Sequence, residues 1–225
     1  METLETRIMD PPSAADGTLV VVLMHGRGAD AGDFASLRRW LPDHTSLVLP
    51  RAPFPAAPWG YGPGRAWYRY EGEDRPEEES FRSAQESLDA LLLELPDRLG
   101  YRPGALVVGG FSQGGTMALG HALRRPGSVA GVLNFSGFVP AHPDVTVSAG
   151  TVTETRFFWG HGTEDPAIPH AMAERGRRRL REAGADLEAR DYRMGHGIAR
   201  EELEDAARWL ERIGRPEPAR QEDGG

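Results

Sequence analysis

ALVVGGFSQGG, residues 105–115, joins a short apolar run to a stretch of helical character. Ala105 to Val108 reads as a buried strand, and Thr116 to Leu123 (TMALGHAL) reads as a helix. Between them Gly110-Phe111-Ser112-Gln113-Gly114 is a G-x-S-x-G pentapeptide, and its place between strand and helix makes it a nucleophile elbow. Such a turn is so tight that the apex serine takes up strained backbone, with glycines beside it because side chains there would collide. Ser112 is expected to present its hydroxyl at the top of a sheet, at a helix N-terminus whose dipole favours developing negative charge.

Working outward, strand-like runs alternate with amphipathic stretches. Thr18 to Met24 (TLVVVLM) is continuously apolar and β-branched, the mark of a strand buried on both faces, and it runs into His25-Gly26-Arg27-Gly28. Asp33 to Leu41 places Phe34, Leu37, Trp40 and Leu41 at helical spacing. Further strands are read at Ser46 to Leu49, Val129 to Phe135, Arg156 to Trp159 and Leu187 to Tyr192, and further helices at Glu77 to Leu95, Pro169 to Ala183 and Ala199 to Ile213. The alternation predicts an α/β fold, a mostly parallel central sheet with helices on both faces, and reactive groups on the loops at the C-terminal strand ends.

Residues 1–17 are polar with room for an edge strand, 18–213 are read as a single domain, and 214–225 as a flexible tail. Residues 50–76 stand apart: prolines and glycines alternate with Trp59, Tyr61, Trp67, Tyr68 and Tyr70. A loop of this length is more often functional than not. Its aromatics either form a pocket wall or lid, or pin the loop to the body.

The net charge of -8, from 26 basic and 34 acidic residues, argues against a nucleic-acid partner. The chain has no cysteine, which excludes disulfides, thiolate catalysis and Cys-ligated zinc. Every one of the 26 basic residues is arginine, which excludes Schiff-base chemistry and a serine-lysine dyad. The N-terminal residues lack an apolar run of signal-peptide length, and no stretch approaches the roughly 18 apolar residues of a membrane span. A cytoplasmic location is expected, and no metal or cofactor is implied.

The loops after the strands carry the chemistry. Ser112, then Asp165, then His196 follow the third, fifth and sixth of these strands, in the chain order of an α/β-hydrolase triad. A serine hydroxyl needs a base to take its proton. Imidazole suits that role near neutral pH, and a carboxylate fixes its tautomer and stabilises the imidazolium. Of the seven histidines, His196 has both the order and a glycine-flanked loop; His25 reads as structural, and His161 as a neighbour of the acid. Glu164 adjoins Asp165, so spacing alone does not separate them; the shorter Asp165, set before Pro166, is favoured. The oxyanion needs fixed donors. One is the backbone N–H of Gln113, and the other comes from the His25-Gly28 loop, most plausibly the N–H of Arg27.

Taken together, LMHGRGAD, GGFSQGGTMAL, FSGFVP, HGTEDPAIP and MGHGI resemble the phospholipase/carboxylesterase family of α/β-hydrolases, which includes acyl-protein thioesterases and small bacterial carboxylesterases. The resemblance runs over roughly residues 18–213. It implies the α/β-hydrolase fold, with Ser112 as nucleophile, Asp165 as acid, His196 as base, and the N–H groups of Arg27 and Gln113 as oxyanion hole. Ala66-Trp67-Tyr68 is similar to a tryptophan-aromatic pair near the acyl site of relatives, so Trp67, Tyr68 and Phe138 are the candidate substrate-binding residues. HGRGAD stands where the thioesterase branch has HGLGD, which puts an arginine at the pocket mouth and, with the aromatic loop, favours a small bacterial esterase. The expected activity is serine carboxylester hydrolysis of a small-molecule acyl ester of short or medium chain, or of a thioester or lysophospholipid, by a monomer or homodimer. The alternatives are a lactone or peptide hydrolase on the same fold, and a catalytically silent binding protein.

Overall fold

The run Leu19–Met24 has no polar face, so it is stable only where both sides are covered. The computed structural model describes residues 3–214 apart from Glu73, and it sets this run inside a seven-stranded sheet. In chain order the elements are β1 (Thr6–Met9), β2 (Leu19–Met24), β3 (Thr45–Pro50), β4 (Phe54–Pro55), β5 (Arg65–Ala66), α1 (Glu78–Leu99), β6 (Ala105–Phe111), α2 (Gln113–Arg124), β7 (Gly131–Phe135), α3 (Ala149–Val152), β8 (Arg156–Gly162), α4 (His170–Glu182), β9 (Asp186–Tyr192) and α5 (Arg200–Ile213). The sheet runs β1-β3-β2-β6-β7-β8-β9. Its edge strand β1 is antiparallel to β3, and every other pair is parallel. β4 and β5 form a separate antiparallel ribbon inside the aromatic loop.

Alternation along each strand divides the core. Val20, Val22, Met24, Val108, Val132 and Trp159 pack on one face with Leu88 and Leu91 of α1, Met117 and Leu119 of α2, and Leu180 of α4. Leu19, Val21, Leu23, Val107, Leu133 and Phe158 pack on the other with Ala206, Trp209 and Leu210 of α5. This is the α/β-hydrolase arrangement of a mostly parallel sheet between helical layers. From β2 the chain passes to β3 on one side, then returns through α1 to β6 on the other. The C-terminal ends of β2 and β6 therefore flank a topological switch point, where open α/β sheets bind ligands. The register sets Met24 opposite Gly110, so the loop after β2 lies beside the elbow.

One segment differs from its sequence reading. Residues 33–41, expected as an ordinary helix, belong to a 3-10 run at Ala31–Trp40. Phe34, Leu37 and Trp40 are three apart, and a 3-10 helix aligns that spacing in one row. Asp30 caps the run, accepting from the N–H of Ala31 while Asp33 accepts from the N–H of Asp30. The expected tail lies outside the described residues beyond Gly214. Among the described residues, no helix is long and apolar enough to cross a membrane.

Glu202, in the first turn of α5, is fully buried, against Gly160 of β8. One carboxylate oxygen accepts from the N–H of Ala199 at 3.3 Å, and the other has no partner. Burial pushes this carboxyl up to about 8. The folded protein thus holds a proton that the unfolded chain releases in the ordinary carboxylate range. Stability is expected to fall as pH rises between those two values, by up to about 1.4 kcal/mol per pH unit. Glu202→Gln keeps an acceptor for Ala199 and has no proton to lose, so its stability should stay flatter than that of the parent over the same window. Urea midpoints at about pH 5 and pH 8 measure this; a parent-to-variant difference that does not change with pH contradicts it.

Candidate active site

At the end of β6 the chain reverses into α2 through Ser112, whose φ is 56° and ψ is -115°. Left-handed backbone of this kind is costly for a residue with a side chain and persists only where its surroundings enforce it. Here the Ser112 N–H donates to the carbonyl of Phe135 at 2.8 Å, and the Ser112 carbonyl accepts from the N–H of Thr116 at 3.0 Å. Two glycines make the turn possible. A Cβ on Gly110 would lie 2.5 Å from the Met24 carbonyl oxygen and from Gly114, and a Cβ on Gly114 would strike the same oxygen.

Ser112, Asp165 and His196, from three separate loops, meet in one hydrogen-bonded line. His196 Nε2 lies 2.9 Å from Ser112 Oγ, and His196 Nδ1 lies 2.7 Å from Asp165 Oδ2. The other Asp165 oxygen accepts from the N–H groups of Ala167 and Ile168 at 2.8 and 2.9 Å. Those bonds come from the turn that Pro166 opens, and they explain why Asp165 rather than Glu164 points inward; Glu164 pairs with Arg193 on the surface. Phe111 stacks on the His196 ring with centroids 4.7 Å apart.

His161 lies beneath this line, with Nε2 3.5 Å from Asp165 Oδ2. The same nitrogen is 2.8 Å from the Ile168 carbonyl and must donate to it, which fixes the tautomer. Burial pushes the His161 pKa down, which favours its neutral form. His25 is also buried and shifted down. Its Nδ1 bonds the Gly26 carbonyl at 2.8 Å and its Nε2 accepts from the N–H of Ala52 at 3.1 Å, which ties the loop after β2 to the aromatic loop.

The N–H groups of Gln113 and Arg27 find no acceptor among the described residues. Each follows the C-terminal end of a strand at the switch point, so the pair is free to donate to an oxygen bound beside Ser112. A cavity of about 490 Å³ opens there, lined by Arg27, Tyr70, Phe111, Ser112, Ile168 and His196 among others.

The three candidate substrate-binding residues do not line this cavity. Trp67, Tyr68 and Phe138 are each fully buried. Trp67 donates from its indole to the His25 carbonyl at 2.9 Å and from its backbone to Gln113 Oε1 at 3.0 Å, and Gln113 Nε2 donates to the Tyr68 carbonyl at 2.8 Å. The Gln113 amide thus clamps the aromatic loop to the nucleophile helix. Phe138 packs behind the cavity with Ile168, Met172 and Tyr70. Tyr70, Ile168 and Phe111 line it instead. Tyr70 was among the aromatics of residues 50–76 read as a possible pocket wall, whereas Phe111, inside the pentapeptide, and Ile168, inside HGTEDPAIP, were not singled out. Ser136 was also passed over. At φ 54° it is the other non-glycine residue with positive φ among those described, and its hydroxyl reaches the Gly197 carbonyl in the His196 loop at 3.4 Å.

A model of the phospholipase/carboxylesterase family matches residues 7–213. Acyl-protein thioesterase 1 of Emericella nidulans is 28% identical over 225 residues, covering 90% of this chain and 93% of its own. The protein of the same name from Mycosarcoma maydis is 28% identical over 236 residues, covering 95% and 98%. Among solved structures, esterase PE8 superimposes with a TM-score of 0.79 at 30% identity, over 94% of this chain and all of that one.

The clamp makes a testable demand. Gln113→Ala leaves the Trp67 N–H and the Tyr68 carbonyl buried without partners, and is expected to cost about 2–4 kcal/mol of stability. Denaturant unfolding checks this; a midpoint unchanged from that of the parent contradicts a clamping role.

Proposed function

The chain belongs to the phospholipase/carboxylesterase family and is a serine hydrolase of that kind; from this premise we propose that Ser112, His196 and Asp165 form its catalytic triad and that it cleaves small acyl esters. The observation that carries the reading is the line from Ser112 Oγ through His196 to Asp165, at 2.9 and 2.7 Å, on the wall of an open cavity.

Ser112 attacks the acyl carbon while His196 takes its proton through Nε2. The negative oxygen of the tetrahedral intermediate is received by the N–H groups of Gln113 and Arg27. His196, held by Asp165, returns the proton to the departing alcohol or thiol. Water then adds to the acyl-enzyme by the same route in reverse, releasing the acid and restoring Ser112. The N-terminus of α2 adds its dipole to the stabilisation of the oxyanion. The cavity volume suits short and medium acyl groups, including thioesters and lysophospholipids of that size. Residues 18–213 act as one hydrolase domain in this scheme.

A fluorophosphonate probe is expected to label the protein, and Ser112→Ala to abolish the label. On p-nitrophenyl esters of increasing chain length, Ser112→Ala and His196→Ala should each lose several orders of magnitude in kcat, and Asp165→Asn somewhat less. Absence of labelling in the parent protein sinks the triad. Lactones or peptides turned over far faster than every ester would replace the ester assignment.

A further inference from the structure

Arg27 contributes more than a backbone N–H. Its side chain lines the same cavity as Ser112 and His196 and is solvent-exposed. The guanidinium carbon sits 4.7 Å from the ring centre of Tyr61 and 5.6 Å from that of Tyr70. That cradle is fixed: the Tyr70 N–H donates to the Tyr61 hydroxyl at 2.9 Å, and the two rings meet edge to face at 6.2 Å. Ring contacts of this kind hold the guanidinium by its face and leave its N–H edge available.

No carboxylate or carbonyl among the described residues accepts from that edge. Arginines around it are used differently. Arg51 pairs with Glu5 and Asp30, Arg65 donates to the carbonyls of Ala52 and Pro53, and Arg175 pairs with Asp74. Among the described residues the remaining lining is His196 and otherwise uncharged or apolar, with Ala29, Phe34, Phe111 and Ile168 among it. A positioned cation with an open donor edge, in a cavity whose described lining offers it no acid, is complementary to a planar anion.

We propose that the natural substrate is an ester carrying a carboxylate or similar anionic group close to the scissile bond, and that the Arg27 side chain selects it. This rests on the esterase reading of the same cavity and deepens it. The anionic group is carried either by the acyl part, as in a half-ester of a dicarboxylic acid, or by the alcohol part, as in an acylated hydroxy acid.

Matched pairs separate the cases. Methyl hydrogen glutarate is compared with methyl glutaramate, and 3-(butyryloxy)propanoate with its primary amide; within each pair the size and shape are kept while the charge is removed and one acceptor oxygen becomes an NH2 donor. In at least one pair the charged ester is expected to exceed its neutral twin by roughly tenfold in kcat/KM, and the pair that responds tells which part carries the anion. Added salt should narrow the ratio, because Arg27 is exposed. Arg27→Gln should bring the ratio close to one, and Arg27→Lys should restore part of it. Taking the ratio within each variant cancels any disturbance of the oxyanion donor.

Calorimetric binding of the same four esters to Ser112→Ala reads charge selection without chemistry, and the charged member of the responding pair should bind more tightly by a similar factor. Equal turnover and equal binding within both pairs, or a ratio unmoved by Arg27→Gln, overturns the proposal. Charge-selective binding with no turnover of any ester by the parent protein would instead overturn the esterase reading and leave the role of Arg27 standing.

Discussion

The carbonyl oxygen of Met24 leaves no room for a side chain on Gly110 or Gly114, and the closeness of the Arg27 loop to Ser112 depends on that contact. It lets the end of β2 close against the elbow. Closure sets the Arg27 loop beside Ser112 and allows the abrupt reversal from β6 into α2 at a φ of 56°. With side chains at either glycine, Ser112 and the two free N–H groups would no longer lie side by side. The chemistry of the site is therefore set first by backbone approaching backbone, and only afterwards by the choice of serine, histidine and aspartate.

A second layer of order is electrostatic. Asp165 is enclosed by protein, yet each of its oxygens has a defined partner: backbone N–H groups on one side and the His196 ring on the other. His161 is near enough to compete, but burial favours its neutral form and its N–H is committed to Ile168. Two imidazoles thus lie against one carboxylate, and only His196 faces Ser112. Glu202 shows the opposite case: a buried carboxyl with a single weak partner holds its proton instead of its charge.

The sheet was legible because valine-rich strands and amphipathic helices have different periods, and the positions of Ser112, Asp165 and His196 were legible because their loops follow strands in a fixed order. Contacts across the chain were not. The Trp67 and Tyr68 pair looked like pocket wall, whereas both carry backbone groups that the Gln113 side chain satisfies, which draws them inward and leaves Tyr70 at the surface of the cavity. No periodicity encodes a hydrogen bond spanning 46 residues. The 3-10 run at Ala31–Trp40 was misread because a spacing of three fits both helix types, and local capping by Asp30 and Asp33 decides between them. Ser136 escaped notice because a left-handed serine leaves no mark on composition.

The amide of Gln113 holds the aromatic loop at two backbone points, one on each side of the Trp67–Tyr68 peptide link. The aromatic loop and the elbow are thereby a single mechanical part. A loop that swung aside to admit a bulkier guest would pull on the very residue whose N–H stands next to Ser112. Exchange of individual side chains along the rim, such as Arg27 and Tyr70, leaves that clamp untouched, whereas an insertion or deletion in the loop would be transmitted to the elbow.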